Sequence, residues 1–223
     1  MKIEFEDNNN IWGPISDLMS GLMMVFILIA ISYMIKSTDA ARVYKKNQVE
    51  LVKRLNEELK DDLNKWNARI IDSTLSVQFL SKDGGLVDGM NPILFKKNSH
   101  RISNWFKSNL DEFFPKFFSI IYSDEFRDII EELRVEGHTD SDEGYFYNVE
   151  LSQGRSREVL RYCYNKINND VQKKWLEMTA TANGLSYSKL IFYENGEENQ
   201  KSSRRVEFRI KTNSESTLKQ ILK

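Results

Sequence analysis

A single carboxylate, Asp17, lies inside an otherwise apolar run, Ile15 to Ile35, and that placement gives the chain its first candidate for chemistry. An ionisable group in a bilayer is expensive, about 2.5–3.5 kcal/mol at the centre on the mildest scale; one that persists there faces protein or a wet pathway and works through its charge. Asp17, Ser20, Gly21 and Met24 share one helical face by their three- and four-residue spacing. Ser16 and Ser20, one turn apart with Gly21 beside them, leave room for neighbouring helices to come close. A carboxyl group in a dry helix bundle is favoured as the neutral acid, and one in contact with a wet half-channel as the anion. Such a group can load an ion on one side and release it on the other, each charge yielding about 2.3 kcal/mol per 100 mV. Ion translocation is one chemistry open to Asp17 and Ser20, with Ser16 and Gly21 as helix-packing positions; the alternative is an Asp17 that only snorkels at the helix end. A lone carboxylate suffices for a proton, which is the expected ion; sodium would need further oxygens from a partner. No cofactor is called for.

The other titratable residues make no enzyme. His138 and Asp140, two residues apart on an extended segment with His100 the only other histidine, are too few for a metal site. Ser152 has no histidine within reach in sequence and reads as an ordinary helix cap. With 32 basic against 33 acidic side chains, the net charge of −1 gives no electrostatic footprint for nucleic acid. A single cysteine, Cys163, excludes an intramolecular disulfide, permits an intermolecular one, and in an apolar-patterned helix reads as a buried thiol.

The elements that must position these groups follow from patterning. Residues 1–14 form a short polar tail, and Pro14 suits the first turn of a helix. Residues 15–36 form one spanning helix: the 21 residues of its apolar run, Ile15 to Ile35, rise about 31 Å, matching a hydrocarbon core of about 30 Å. Trp12, Tyr33 and Lys36 are its interfacial anchors. The acidic leader and the length of the apolar run argue for an uncleaved anchor rather than a signal peptide. Residues 37–73 read as a charged helical linker extending to about Ile71, with Leu51, Leu55, Leu59, Leu63, Trp66 and Ile70 forming a stripe. That stripe either pairs with a second copy of itself or lies on the domain that follows.

Residues 74–223 form a globular domain. Leu75 to Leu80 alternates as a strand, and Lys82-Asp83-Gly84-Gly85 breaks the chain as a turn. Residues 100–133 have a helical pattern, rich in core aromatics and bent or divided at Pro115. Leu133 to Gly137 reads as a strand, Leu151 to Ile167 as a helix capped by Asn148 or Ser152, and Val206 to Ile210 as a closing strand. Strands alternating with helices around one sheet give a modest α/β (α+β) sandwich.

Val135-Glu136-Gly137-His138-Thr139-Asp140-Ser141, followed by Asn148-Val149-Glu150-Leu151-Ser152-Gln153-Gly154-Arg155-Ser156 and the late pair Arg204-Arg205 before Val206-Glu207, resembles the OmpA-like peptidoglycan-binding domain. The resemblance covers roughly residues 75–211. It departs where Ser203 stands in place of the family's usual asparagine, and where Gly184-Leu185-Ser186-Tyr187 lacks the usual acidic residue. It implies a βαβ sandwich that binds the diaminopimelate of the cell-wall stem peptide. Asp140 would take the ammonium and Arg155, near the start of its helix, the carboxylate, since a guanidinium suits two parallel hydrogen bonds. Thr139, Asn148 and Arg204 are assigned to the same surface. An Asp140–Arg155 pair that only braces the fold is the alternative.

Joined to one N-terminal span with a lone aspartate, this domain is similar to the B subunit of ion-driven stators, the MotB family, and most like the B subunit of Zorya anti-phage systems. The resemblance implies a homodimer threading a ring of a multi-span A subunit, anchored to peptidoglycan, in the bacterial inner membrane. A flagellar stator subunit and a passive peptidoglycan tether are the alternatives. Orientation is contested: Lys36, Arg42, Lys45 and Lys46 against Lys2 alone would put the C-terminal side in the cytoplasm. The implied wall ligand puts it in the periplasm, and that reading is adopted.

Overall fold

A computed structural model of the chain describes residues 12–81 and 92–213; the polar tail up to residue 11 and the expected turn at Lys82–Gly85 lie outside the described residues. One helix, α1 (Trp12–Leu63), runs without interruption through both the apolar segment and the first part of the charged one. Its N-terminal portion is long and apolar enough to cross a membrane, and the side chains of residues 12–38 are exposed. Pro14 falls in the first turn, where its missing N–H is not needed.

The linker differs from expectation at its end. The helix stops at Leu63, and Ala68–Ile71 is strand β1, so Ile70 belongs to the sheet. The reversal between them places Asn67 at φ 49°, with its side-chain amide donating to the carbonyl of Leu80 at 2.8 Å. The open choice over the leucine stripe is decided as well: Leu51, Leu55 and Leu59 are fully buried against the chain's own domain. Burying each is favourable by about 1.5–3 kcal/mol. Lys116 pairs with Asp62, and Lys65 with Glu112 at 2.7 Å, tying the end of α1 to α2 (Asn104–Ile121).

Helix α2 ends at Ile121, so residues 122–129 are turns rather than the continuation expected to residue 133, and Pro115 does not divide it. It begins at an N-cap, Ser103, whose hydroxyl accepts from the Phe106 N–H at 3.0 Å. The remaining elements are β2 (Ser76–Leu80), β3 (Ile130–Gly137), α3 (Tyr145–Tyr164), α4 (Asp170–Thr179), β4 (Ala180–Gly184), α5 (Gln200–Ser203) and β5 (Arg205–Thr212). They form a five-stranded sheet of order β1-β2-β5-β3-β4, antiparallel except for β3 and β4, which are parallel and joined through α3 and α4.

Register sorts the two faces. Val77 opposes Phe208, Phe79 opposes Val206, and Leu133 opposes Ile210; these point to the helices. There Phe79, Phe113, Phe117 and Phe208 make edge-on ring contacts at 4.8–5.9 Å between centroids, with Phe113 and Phe117 stacked at 4.9 Å. The α/β sandwich is as expected, with the aromatics of α2 as its core. The other face carries a polar row, Arg69, Gln78, Glu207 and Glu136, directly opposite one another on four strands.

Candidate functional site

The loop after β3 is set by backbone bonds. His138 N–H donates to Arg205 O at 3.0 Å, Thr139 N–H to Ser186 O at 3.0 Å, and Leu185 N–H to Gly137 O at 2.9 Å. Helix α3 presses close from behind: a Cβ on Gly137 would stand 2.4 Å from the Ser152 carbonyl oxygen, and one on Gly184 2.4 Å from the Gln153 nitrogen. Only glycine fits this approach. The Ser152 hydroxyl accepts from Ser186 N–H at 3.0 Å, so helix, β3 loop and β4 loop form one stitched corner.

This corner revises the expected capping. Helix α3 starts at Tyr145, six residues before the expected Leu151, and its N-cap is Gly144, without a side-chain cap. Asn148 and Ser152 are buried within the helix; Asn148 instead donates its amide to the carbonyls of Asp142 and Glu143, the latter at φ 68°. Arg155 is consequently about three turns into α3, too far for the helix N-terminus to assist an anion beside it.

Asp140, Thr139, Asn148, Arg155 and Arg204 all line one cleft of about 590 Å³. The expected residues are thus brought together, but their pairing is new. Asp140, 6 % exposed, accepts from Arg204 Nη1 at 2.7 Å, so the bracing partner is Arg204 and no Asp140–Arg155 ion pair forms. Arg155 directs its Nε–H to the carbonyl of Ser99 at 3.1 Å and lays its guanidinium over the Phe95 ring, 5.0 Å from the centroid. Burial pushes the Arg155 guanidinium down to about 10, with Arg204 adding to the fall and the charges of Asp140 and Tyr147 opposing it. It remains a cation at neutral pH. Thr139 is buried, its hydroxyl without a hydrogen-bond partner among the described residues.

Motif reading missed the wall of the cleft formed by Phe95, Lys97 and Ser99. These residues belong to a short excursion closed by the Phe95–Ile102 bridge, which contributes one ring and one backbone carbonyl; neither leaves a motif in sequence. Also missed was Glu198, which accepts from the Ser141 N–H at 3.2 Å and from its hydroxyl, holding the far lip.

Beneath the cleft, Glu136, His138 and Glu207 bring a ligand atom each to within 4.8 Å of one another, all buried. His138 Nε2 lies 3.6 Å from a carboxylate oxygen of each glutamate, too far for a hydrogen bond. Two guanidiniums already compensate those carboxylates: Arg209 donates to Glu207 at 2.9 Å and approaches Glu136 at 3.4 Å, and Arg205 approaches Glu207 at 3.5 Å. Both Glu207 oxygens accept hydrogen bonds, the second from Gln78 at 3.0 Å. Glu207 is thus held by Arg209 and Gln78, whereas Glu136 Oε2 and both His138 ring nitrogens are buried without a hydrogen-bond partner among the described residues.

At the other end of the molecule Asp17, Ser20, Ser16 and Gly21 lie on exposed α1, the first two on one face as the spacing requires.

The OmpA family model matches residues 94–205. The Zorya protein ZorB of Escherichia coli strain Crooks is 35% identical, over 97% of this chain and 94% of its own length. A second ZorB, from Escherichia coli O139:H28, is 25% identical over 89% of this chain and 79% of its own. Among solved structures, a putative MotB-like protein from Desulfovibrio vulgaris superposes with a TM-score of 0.49 at 16% identity, over 79% of this chain and 98% of its own. With one match spanning the cleft from wall to wall and another running nearly end to end, this chain belongs to the OmpA family and to the ZorB proteins of Zorya systems.

Proposed function

We propose that this chain is the peptidoglycan-anchored B subunit of an ion-driven inner-membrane motor of the Zorya anti-phage type. The observation that carries the reading is the cleft itself: a cation, Arg155, with no ion-pair partner among the described residues, stands beside a fixed anion, Asp140, as a diamino-acid ligand with ammonium and carboxylate requires. Likeness to ZorB along 97% of the chain supports phage defence over a flagellar stator.

In this reading α1 crosses the inner membrane with its N-terminus in the cytoplasm, and the sheet domain faces the periplasm. Two copies thread a ring of a multi-span A subunit. Asp17 takes up a proton from one side and releases it to the other, Ser20 lying on the same face, while Ser16 and Gly21 let neighbouring helices approach. Proton flow turns the ring only if the B subunit resists twisting. The continuity of α1 supports that role, because no hinge intervenes between the apolar segment and the stripe of Leu51, Leu55 and Leu59 embedded in the domain. Residues 36–51 of that helix span about 23 Å. A charge pair, Arg42–Asp39 at i, i+3, lies on that stretch, and Lys53–Glu57 and Arg54–Glu58 at i, i+4 lie on the helix beyond it.

The test is twofold. Purified chain in detergent should retain diaminopimelate-containing muropeptides, and gentle extraction from native membranes should recover a multi-span partner in fixed ratio. A chain that binds muropeptides yet has no stoichiometric membrane partner would be a passive tether.

A further inference from the structure

We propose that the cleft is first a receptor for a free carboxylate, with the neighbouring ammonium a secondary contact, so that it discriminates against stem peptides whose diamino-acid carboxylate is amidated. This rests on the wall-binding reading and concerns which half of the ligand that site recognises.

The two charges the motif supplies are not equivalent. Asp140 is already neutralised by Arg204 at 2.7 Å in a largely buried position, so an incoming ammonium must share or displace a guanidinium that is in place. Arg155 is the reverse. Its one hydrogen bond runs backwards from Nε to the Ser99 carbonyl, and no carboxylate lies within ion-pair distance of it among the described residues. The two terminal nitrogens are left to the cleft, the fork that binds a carboxylate through two parallel hydrogen bonds. Burial already weakens this cation, and an anion beside it would restore what water has lost.

Position is enforced from the wall. The Phe95 ring lies under the guanidinium at 5.0 Å and is itself braced edge-on by Phe106 at 5.9 Å. The wall is closed by Ser103 N–H donating to Leu94 O at 3.0 Å. Phe95 and Ser99 are thus positioning residues for Arg155. A guanidinium has donors only, so a carboxamide in place of the carboxylate sets its NH₂ against one N–H of the fork. One of two bonds is lost and the charge with it.

The experiment is calorimetric titration of the full chain in detergent with three synthetic tripeptides, L-Ala-γ-D-Glu followed by a variable third residue. The third residue is diaminopimelate, its side-chain carboxamide, or aminopimelate, which keeps that carboxylate and lacks the adjacent amine. The expected order is a loss of about 30-fold or more on amidation and about 5-fold or less on removing the amine. An amide that binds as well as the acid, or an amine removal that costs as much as amidation, overturns the inference while leaving wall binding intact. Failure of all three to bind overturns the wall-binding reading and the inference with it. Phe95→Leu should lower affinity for the acid and leave the amide unchanged, narrowing the discrimination; an equal loss for both ligands would make Phe95 a packing residue only.

Discussion

Arg204 donates from Nη1 to Oδ2 of Asp140 at 2.7 Å, and this one contact separates the two charges that the sequence motif presents as a pair. Arg155 is left facing the cleft, so its truncation should act on binding with little effect on the fold. Arg155→Ala is expected to weaken diaminopimelate tripeptide binding by about 2–3 kcal/mol, the worth of hydrogen bonds to a charged group, with an unchanged melting temperature. Arg204→Ala instead leaves Asp140 buried without its cation. Because Arg204 is part-exposed, the loss should fall short of the about 3–5 kcal/mol seen on breaking fully buried pairs. It should register in melting temperature as well as in affinity.

Asp17→Asn removes the titratable group and keeps the shape. Protection against phage, scored as plating efficiency in cells carrying the whole system, should fall to the level of a strain without it. Membrane insertion and partner recovery should stay at wild-type levels. Full protection by that variant would reduce the chain to a tether.

Leu55 is fully buried between α1 and α2, where its stripe joins the long helix to the domain. Leu55→Ala should cost about 2–5 kcal/mol by lost burial and the cavity left behind. Denaturant unfolding of the detergent-solubilised chain measures this. Undiminished stability would mean that the helix is free of the domain.

Gly137 and Gly184 have no room for a methyl group against the backbone of Ser152 and Gln153. Gly137→Ala should destabilise the chain by about 1–3 kcal/mol as α3 is displaced. Since Arg155 rides on that helix, tripeptide affinity should drop in the same variant. Retained affinity with lowered stability would show that α3 relaxes without moving the guanidinium.

His138 is buried, and that burial, with Arg205 adding to it, holds its imidazole below the ordinary value of 6.5 against the opposing charges of Glu136 and Glu207. The unfolded chain therefore takes up this proton at a higher pH than the folded one. Its contribution is fully present above 6.5 and is lost as pH falls from there toward the folded value. Melting temperature should decline between pH 7.5 and 5.5, with a shallower decline in His138→Gln. Equal slopes in the two proteins would assign the effect to carboxylates instead.

Much of this molecule is written locally. The apolar run around Asp17, the alternation of Leu75 to Leu80 and of Val206 to Ile210, and the aromatic periodicity of α2 each report a period that one element alone must satisfy. The motif residues Thr139, Asp140, Asn148, Arg155 and Arg204 were likewise recognisable from type and spacing, and they do meet in one cleft.

What the sequence could not decide were choices between equally good partners far apart in the chain. The charged helix looked able to continue to Ile71, yet the sheet edge at Val77 and Phe79 claims Ala68 to Ile71, because pairing two strands satisfies backbone groups that a solvated helix end would leave to water. The start of α3 was masked because Asn148 and Ser152 look like caps, whereas their side chains serve loops that only the closed corner brings near. Asp140 had two arginines within its motif to choose from, and spacing favours neither. Packing of β5 beside β3 sets Arg204 at its carboxylate, while Phe95 and the Ser99 carbonyl, 60 and 56 residues upstream of Arg155, draw that guanidinium away. Charge type and helical or strand period are properties of a few adjacent residues, so the chain determines them by itself; which cation neutralises which anion depends on distances that exist only once the layers have closed.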